Sequence, residues 1–67
     1  AEKHLKNGTI IFDEQDLKDN FDFYMDERCV EDEEKEKYRK MLETHEPVAD
    51  WGVVENDGTY YYIEYVL

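Results

Sequence analysis

The sequence predicts an α+β fold in which a three-stranded, largely antiparallel sheet packs on two helices, in the order β-α-α-β-β. Three observations lead to this prediction. A β-branched and aromatic run lies near the start of the chain, two stretches with helical spacing of apolar residues follow, and a turn signal divides the C-terminal region into two strand-like runs. We expect one acidic domain over residues 1–67, near the lower size limit for folding without a disulfide or metal.

The first strand is predicted at Thr9-Ile10-Ile11-Phe12, after a polar lead-in of residues 1–8 that ends in the turn signal Asn7-Gly8. From about residue 13 the spacing of apolar residues becomes helical. At about 100° per residue, four apolar side chains fall within about 80° of one another: Leu17, Phe21, Tyr24 and Met25. The opposite side of this helix is an acidic stripe of Asp16, Asp19, Asp22 and Asp26, and Phe23 projects among these aspartates.

The second helix is predicted to begin at Glu31 or Asp32, after an interruption at Cys29-Val30, and to end before Pro47. Its apolar face consists of Tyr38, Met41, Leu42 and His45. Acid–base pairs at i,i+4 are expected to stabilise it: Glu31–Lys35, Glu33–Lys37 and Glu36–Lys40.

A β-hairpin is predicted at the C-terminus, where the turn Asn56-Asp57-Gly58 separates residues 50–54 from residues 59–67. In the last strand we expect the core face to be Tyr61, Ile63, Tyr65 and Leu67. The other face is also largely apolar, and a strand of that kind is usually covered on both faces. A symmetric homodimer through Tyr60, Tyr62 and Val66 is favoured over the alternative in which one helix covers each face.

The charge of the chain is its most informative property for function. The net charge is −11, and residues 13–36 carry twelve carboxylates against three cations, Lys18, Arg28 and Lys35. Such a segment attracts cations and basic proteins and repels nucleic acid and anionic lipid. Ten aromatic residues argue against a disordered acidic tail. The single cysteine excludes an intrachain disulfide, and no apolar run approaches the roughly 20 residues of a membrane span, so we expect a soluble intracellular protein.

The residues needed for common catalytic and metal sites are missing or badly spaced. There is no serine, and Cys29 could act as a nucleophile only beside His4 or His45. No zinc spacing, EF-hand order or glycine-rich phosphate loop occurs. We therefore expect no enzyme activity, no cofactor and no dedicated metal site, although divalent cations can bind weakly to the acidic surface.

Two interpretations of the acidic stripe are open. It can be a solvated helix face, or it can imitate a phosphate row, because acids three or four residues apart step about 4.5 to 6 Å along a helix axis. Phosphates on one DNA strand step about 3.4 Å along the axis, and more through space. Phe23 would then supply an apolar anchor for a partner, unless it packs under the second helix or in a dimer contact.

Small size, acid-rich helices, a short sheet, one cysteine and six tyrosines resemble phage-encoded DNA-mimic proteins, inhibitors of a nucleoid protein such as HU or of a restriction or CRISPR nuclease. The resemblance implies a cytoplasmic location in a bacterial host and a basic, nucleic-acid-binding host protein as partner. The expected partner-binding residues are Asp13, Asp16, Asp19, Asp22, Phe23, Asp26, Glu27, Glu31, Asp32 and Glu33. The cations at positions 35, 37, 39 and 40 depart from the pattern. The alternatives are an adaptor that uses the Tyr-rich C-terminal strand and a divalent-cation-binding domain.

Overall fold

The computed structural model describes the backbone of residues 3–4 and all of residues 8–65. The elements are β1 (Lys3–His4), β2 (Ile10–Asp13), α1 (Glu14–Asp19), α2 (Phe21–Glu27), α3 (Asp32–Thr44), β3 (Trp51–Asn56) and β4 (Thr59–Glu64). The predicted α+β fold is confirmed. The three predicted strands form an antiparallel sheet in the order β2-β4-β3, and β1 adds two residues at the β2 edge. Part of the predicted lead-in is thus a strand; residues 1–2 and 5–7 of it lie outside the described residues.

The predicted first helix is two helices that meet at Asn20. The side chain of Asp13 begins α1 by accepting a hydrogen bond from the Asp16 backbone N–H at 2.7 Å. At Asn20 the backbone leaves the helical region (φ −119°, ψ 25°), and the side-chain amide donates to the backbone oxygen of Asp16. Asparagine competes in this way with helical hydrogen bonding. The apolar side chains of both helices still face one core, so the predicted set Leu17, Phe21, Tyr24 and Met25 is buried.

α3 begins at Asp32, as predicted, after a break at Cys29, whose φ of 57° is left-handed. Among the described residues, no helix has the length and apolar character required to cross a membrane.

The predicted i,i+4 pairs are replaced by others. Lys37 pairs with Glu34 and Arg39 with Glu36, both at i,i+3, while Lys35 points toward α2 and pairs with acids there.

One face of the sheet packs against the helices, and the register decides which face it is. Tyr62 lies opposite both Phe12 on β2 and Val53 on β3, and Tyr62 and Phe12 are fully buried. The predicted core face of the last strand is therefore wrong, since Tyr65 is 52% exposed; Leu67 lies outside the described residues. Both faces of β4 carry apolar side chains, so alternation alone could not choose between them.

The hairpin turn has the predicted position. Asp57 and Gly58 have φ values of 52° and 81°, which two-residue hairpin turns of the I′ type require. The Gly58 N–H donates to a carboxylate oxygen of Glu55 at 2.7 Å. The turn therefore fixes the pairing of β3 with β4, and with it the side of the sheet on which each tyrosine lies.

Candidate functional site

The three aspartates nearest the N-terminus do not form part of one acidic row. The carboxylate of Asp13 caps α1, and that of Asp16 accepts hydrogen bonds from the Tyr24 hydroxyl at 2.9 Å and the Asn20 amide at 3.0 Å. Asp19 is exposed on α1 and bonded to Gln15 at 2.8 Å. The predicted continuous stripe is wrong because the helix is interrupted at Asn20 and the Asp16 carboxylate is bonded to the Tyr24 hydroxyl. Asp13 and Asp16 hold the fold instead of presenting free charges.

The remaining predicted residues form what we call the acidic helix patch. It consists of Asp22, Phe23, Asp26 and Glu27 on α2 together with Glu31, Asp32 and Glu33 at the start of α3. All of these residues are exposed. The prediction that Phe23 projects away from the core is confirmed, because the residue is 61% exposed.

Lys35 organises the centre of the acidic helix patch. Its side-chain nitrogen lies 2.8 Å from Asp26, 3.5 Å from Asp32 and 3.7 Å from Asp22, and its side chain is only 10% exposed. The hydrogen bond with Asp26, followed by the charges of Asp26 and Asp22, raises the pKa of Lys35. The three carboxylate oxygens are therefore no more than about 7 Å from one another, which is the sum of the two longest distances to Lys35. Three negative charges and one positive charge leave this group net negative.

Three carboxylates of the patch, those of Glu27, Glu31 and Glu33, form no ion pair or side-chain hydrogen bond with any other described residue. Beyond them α3 becomes mixed in sign. Arg39 lies 3.5 Å from Asp22 and 3.2 Å from Glu36, with its guanidinium 5.1 Å from the centre of the Phe21 ring. The patch therefore has a cationic border on its α3 side.

Arg28 anchors the end of α2 to the sheet, a role the sequence did not indicate. Its Nε and Nη2 donate to the two carboxylate oxygens of Glu64, each at 2.7 Å, and Nη1 donates to the Tyr24 carbonyl at 2.8 Å. The guanidinium also lies 5.4 Å from the centre of the Phe12 ring. Since Arg28 and Glu64 are 36 residues apart, no local spacing reveals the pair.

Two of the three predicted dimer residues, Tyr62 and Tyr60, pack within the fold. Tyr62 has no exposed surface, donates to Glu14 at 3.1 Å and lies 3.0 Å from His45 Nδ1. Burial first, and the hydrogen bond to Glu14 second, raise the pKa of Tyr62. Tyr60 stacks on the His45 imidazole with ring centres 3.6 Å apart. Tyr62 cannot meet a second copy because the helices cover it, and Val66 lies outside the described residues.

The Tyr-rich strand also lacks a free edge. β4 pairs with β3 over residues 59–64 and with β2 over residues 61–64. An extended peptide can add only to an unpaired edge, and of these three strands β3 has one along its full length. The predicted use of the C-terminal strand edge by an adaptor is therefore wrong.

The clefts in the described part of the chain are lined by charged side chains. One of about 220 Å³ lies beside Arg28, Trp51 and Glu64, where the two charged side chains already satisfy each other, and another of about 480 Å³ is lined by residues 29–33 and adjoins the acidic helix patch. Within residues 3–4 and 8–65, no group of three or more histidine, cysteine or acidic side chains could hold a metal ion. Cys29 is exposed. The acidic helix patch is thus the candidate site, and it is suited to binding by charge.

Comparison with known proteins adds no relative. The chain matches no protein-family model, no curated protein and no solved structure. The resemblance to phage DNA mimics therefore stays an expectation that comes from composition and charge layout.

Proposed function

We propose that this chain is a non-enzymatic DNA mimic, which inhibits a basic host protein by occupying its nucleic-acid-binding surface with the acidic helix patch. One observation carries the proposal: Asp22, Asp26 and Asp32 are gathered around Lys35 on a surface that also exposes Phe23. Beyond the three acids that Lys35 pairs with, Glu27, Glu31 and Glu33 add exposed carboxylates that no described cation neutralises.

The charge geometry supports binding to a site built for phosphates. The three gathered carboxylates lie within about 7 Å of one another, comparable to a phosphate row whose step is about 3.4 Å along the axis and longer through space. Because Lys35 fixes them, less side-chain entropy is lost when a partner binds. Glu27, Glu31 and Glu33, which no described cation pairs with, extend the field and would speed encounter with a basic partner.

Phe23 supplies what a phosphate row lacks. An aromatic side chain buried at the centre of an interface contributes more affinity than charges at the rim. Phe23 follows Asp22 and precedes Asp26 by one turn of α2, so a groove that receives those acids also meets the ring. The expected partner is a nucleoid protein or nuclease in a bacterial cytoplasm.

The test is capture of proteins from a bacterial lysate at low salt, with release by double-stranded DNA and identification by mass spectrometry. The proposal expects basic nucleic-acid-binding proteins to be released. Replacing Glu27, Glu31 and Glu33 by Gln should weaken binding at least about tenfold, since three favourable charge contacts are lost. The matched control changes Glu43 and Glu46 to Gln and Asp50 to Asn, which alters the net charge equally, outside the patch.

Two outcomes would contradict the proposal. Captured proteins could be neutral or acidic and resist release by DNA, which would favour an adaptor. Alternatively, the control triple variant could lose as much binding as the patch variant. Net charge would then explain the attraction, and no particular surface would be involved.

A further inference from the structure

The face of the sheet opposite the helices is apolar, and none of the described helices lies on it. Side chains paired across the strands lie on one side of a sheet, and the register places Ile11, Ile63, Tyr61 and Val54 together there. We call this set, with Gly52 and Tyr65, the outer face. Val54 is 47% and Tyr65 52% exposed, and none of the set belongs to the cluster of side chains that packs between sheet and helices.

Tyr65 flattens the outer face by lying across a glycine. A Cβ atom built on Gly52 would come within 3.0 Å of the Tyr65 ring, so the ring occupies the space that a side chain would need. An aromatic ring placed over a glycine in a neighbouring strand protects the backbone and smooths the sheet surface. The result is a continuous surface of rings and aliphatic groups.

Charge separates the two sides of the molecule. Residues 14–46, which form the helix layer, contain thirteen carboxylates and six lysines or arginines. Within strands β2, β3 and β4, Asp13 is the one charged residue on the outer side of the sheet, and its carboxylate already accepts the Asp16 N–H. A partner of the outer face is therefore not selected by positive charge.

We propose that a second copy of this chain packs on the outer face, so that two sheets meet back to back about a two-fold axis. A basic protein would be drawn to the helix layer, and anionic nucleic acid or lipid would be repelled by the molecule as a whole. A second copy presents an identical neutral surface. Layers spaced about 10 Å apart place the two acidic helix layers about 30 Å apart, several times the screening length of about 8 Å.

The size of the outer face predicts a weak dimer. The four strands have two, four, six and six residues, and at about 4.8 by 3.4 Å for each residue they give a face of about 290 Å² in projection. Two such faces bury less than the roughly 1,200 Å² at which stable interfaces begin. Association should therefore be concentration-dependent, and added salt should strengthen it by screening the repulsion between the copies.

Sedimentation equilibrium of the full chain at low salt and at about 1 M NaCl, where the screening length is about 3 Å, tests this inference. The expected result is a monomer–dimer equilibrium that tightens with salt. Val54→Lys should weaken the dimer at least about tenfold, because each copy would bury an unpaired cation. Phe23→Lys makes the same charge change in the helix layer and should leave the dimer intact.

Tyr65→Lys is the second interface variant, and circular dichroism melting checks that each variant folds. Two results overturn the inference: a chain that stays monomeric at high concentration and high salt, or a dimer lost in Phe23→Lys and kept in Val54→Lys. The dimer does not depend on the proposed function. Partner binding is tested on the helix layer and dimerisation on the outer face, so either can fail alone.

Discussion

Tyr62 joins the two layers of the molecule more directly than any other single side chain described above. Its ring is fully buried between sheet and helices, and its hydroxyl reaches both Glu14 on α1 and His45 at the end of α3. The sequence could not identify it as the central tyrosine. Tyr60, Tyr61 and Tyr62 follow one another, and only pairing with Phe12 on a strand fifty residues earlier decides which one is buried.

Replacing Tyr62 by Phe should change the pH dependence of stability. Burial and the hydrogen bond to Glu14 raise its pKa above the ordinary value of 10.0, so above pH 10 the folded chain keeps a proton that the unfolded chain has released. Stability present below pH 10 is therefore lost as the pH rises beyond it. Tyr62→Phe should cost about 1 kcal/mol near neutrality, for the lost hydrogen bond, and flatten the alkaline decline.

Urea denaturation between neutrality and pH 11 measures this effect. Tyr65→Phe is the matched control, because Tyr65 is half exposed and its change should leave the alkaline decline as it is. An unchanged decline in Tyr62→Phe would show that other groups cause it.

Lys35 should matter more to stability than any other lysine of α3. Lys35→Met leaves Asp22, Asp26 and Asp32 facing one another without the cation that now lies between them. We expect a melting temperature lower by several degrees at low salt, with much of the loss recovered on adding NaCl, which screens the repulsion.

Lys40→Met is the control for this change, since it removes the same charge from the exposed side of the same helix. Thermal melting followed by circular dichroism compares the two variants at low and high salt. An equal fall in melting temperature in the two variants would mean that Lys35 acts only through the net charge of the chain and not through its position among the three aspartates.

At the scale of elements, the sequence predicted the existence and order of the helices and of the hairpin from local signals. The spacing of apolar residues and the Asn56-Asp57-Gly58 turn are properties of neighbouring residues, and the helical segments and the hairpin they predict are present in the structure. The break at Asn20 was missed because Leu17, Phe21 and Tyr24 keep a helical spacing across it. Asp16 is lost from the predicted acidic stripe because its carboxylate accepts hydrogen bonds from Tyr24 and Asn20, and the predicted partner-binding residue Asp13 caps α1 instead.

The link between α2 and β4 should be sensitive to the shape of the cation. Arg28 uses two nitrogens on Glu64 and a third on a backbone carbonyl, whereas lysine is a single point of charge and cannot reproduce this fork. With side chains 19% and 17% exposed, the pair is shielded from water. Arg28→Lys should therefore lower the free energy of unfolding by about 1–2 kcal/mol.

Arg39→Lys is the matched control, because Arg39 is 47% exposed and its contacts are at 3.2 and 3.5 Å; exposed pairs contribute less than about 1 kcal/mol. Urea denaturation at neutral pH gives both values. A larger loss in Arg39→Lys would contradict the anchoring role of Arg28.

For the whole molecule, the distribution of charge between two sides is the property that sequence alone left undecided. Counting residues gives a net charge of −11 and predicts attraction to basic partners. The sequence also places most of the acids in the helical segment of residues 13–36, but it does not show which face of the sheet is nearly uncharged, because that depends on strand register. The same register puts the nearly uncharged surface at the outer face. The predicted dimer residues Tyr60 and Tyr62 lie on the other side of the sheet.

Self-repulsion of the helix layer should make the isolated chain more stable as NaCl is added from low to moderate concentration. Exchanging Glu27, Glu31 and Glu33 for Gln reduces the negative net charge from −11 to −8. It removes carboxylates that no described cation neutralises. This variant should gain stability at low salt and respond less to salt than the chain itself. The variant at Glu43, Glu46 and Asp50 carries the same net charge, and it should keep more of the salt response because its acids lie outside the patch. Urea midpoints across a NaCl series measure all three proteins, and a flat or falling midpoint for the unchanged chain would contradict a crowded acidic surface.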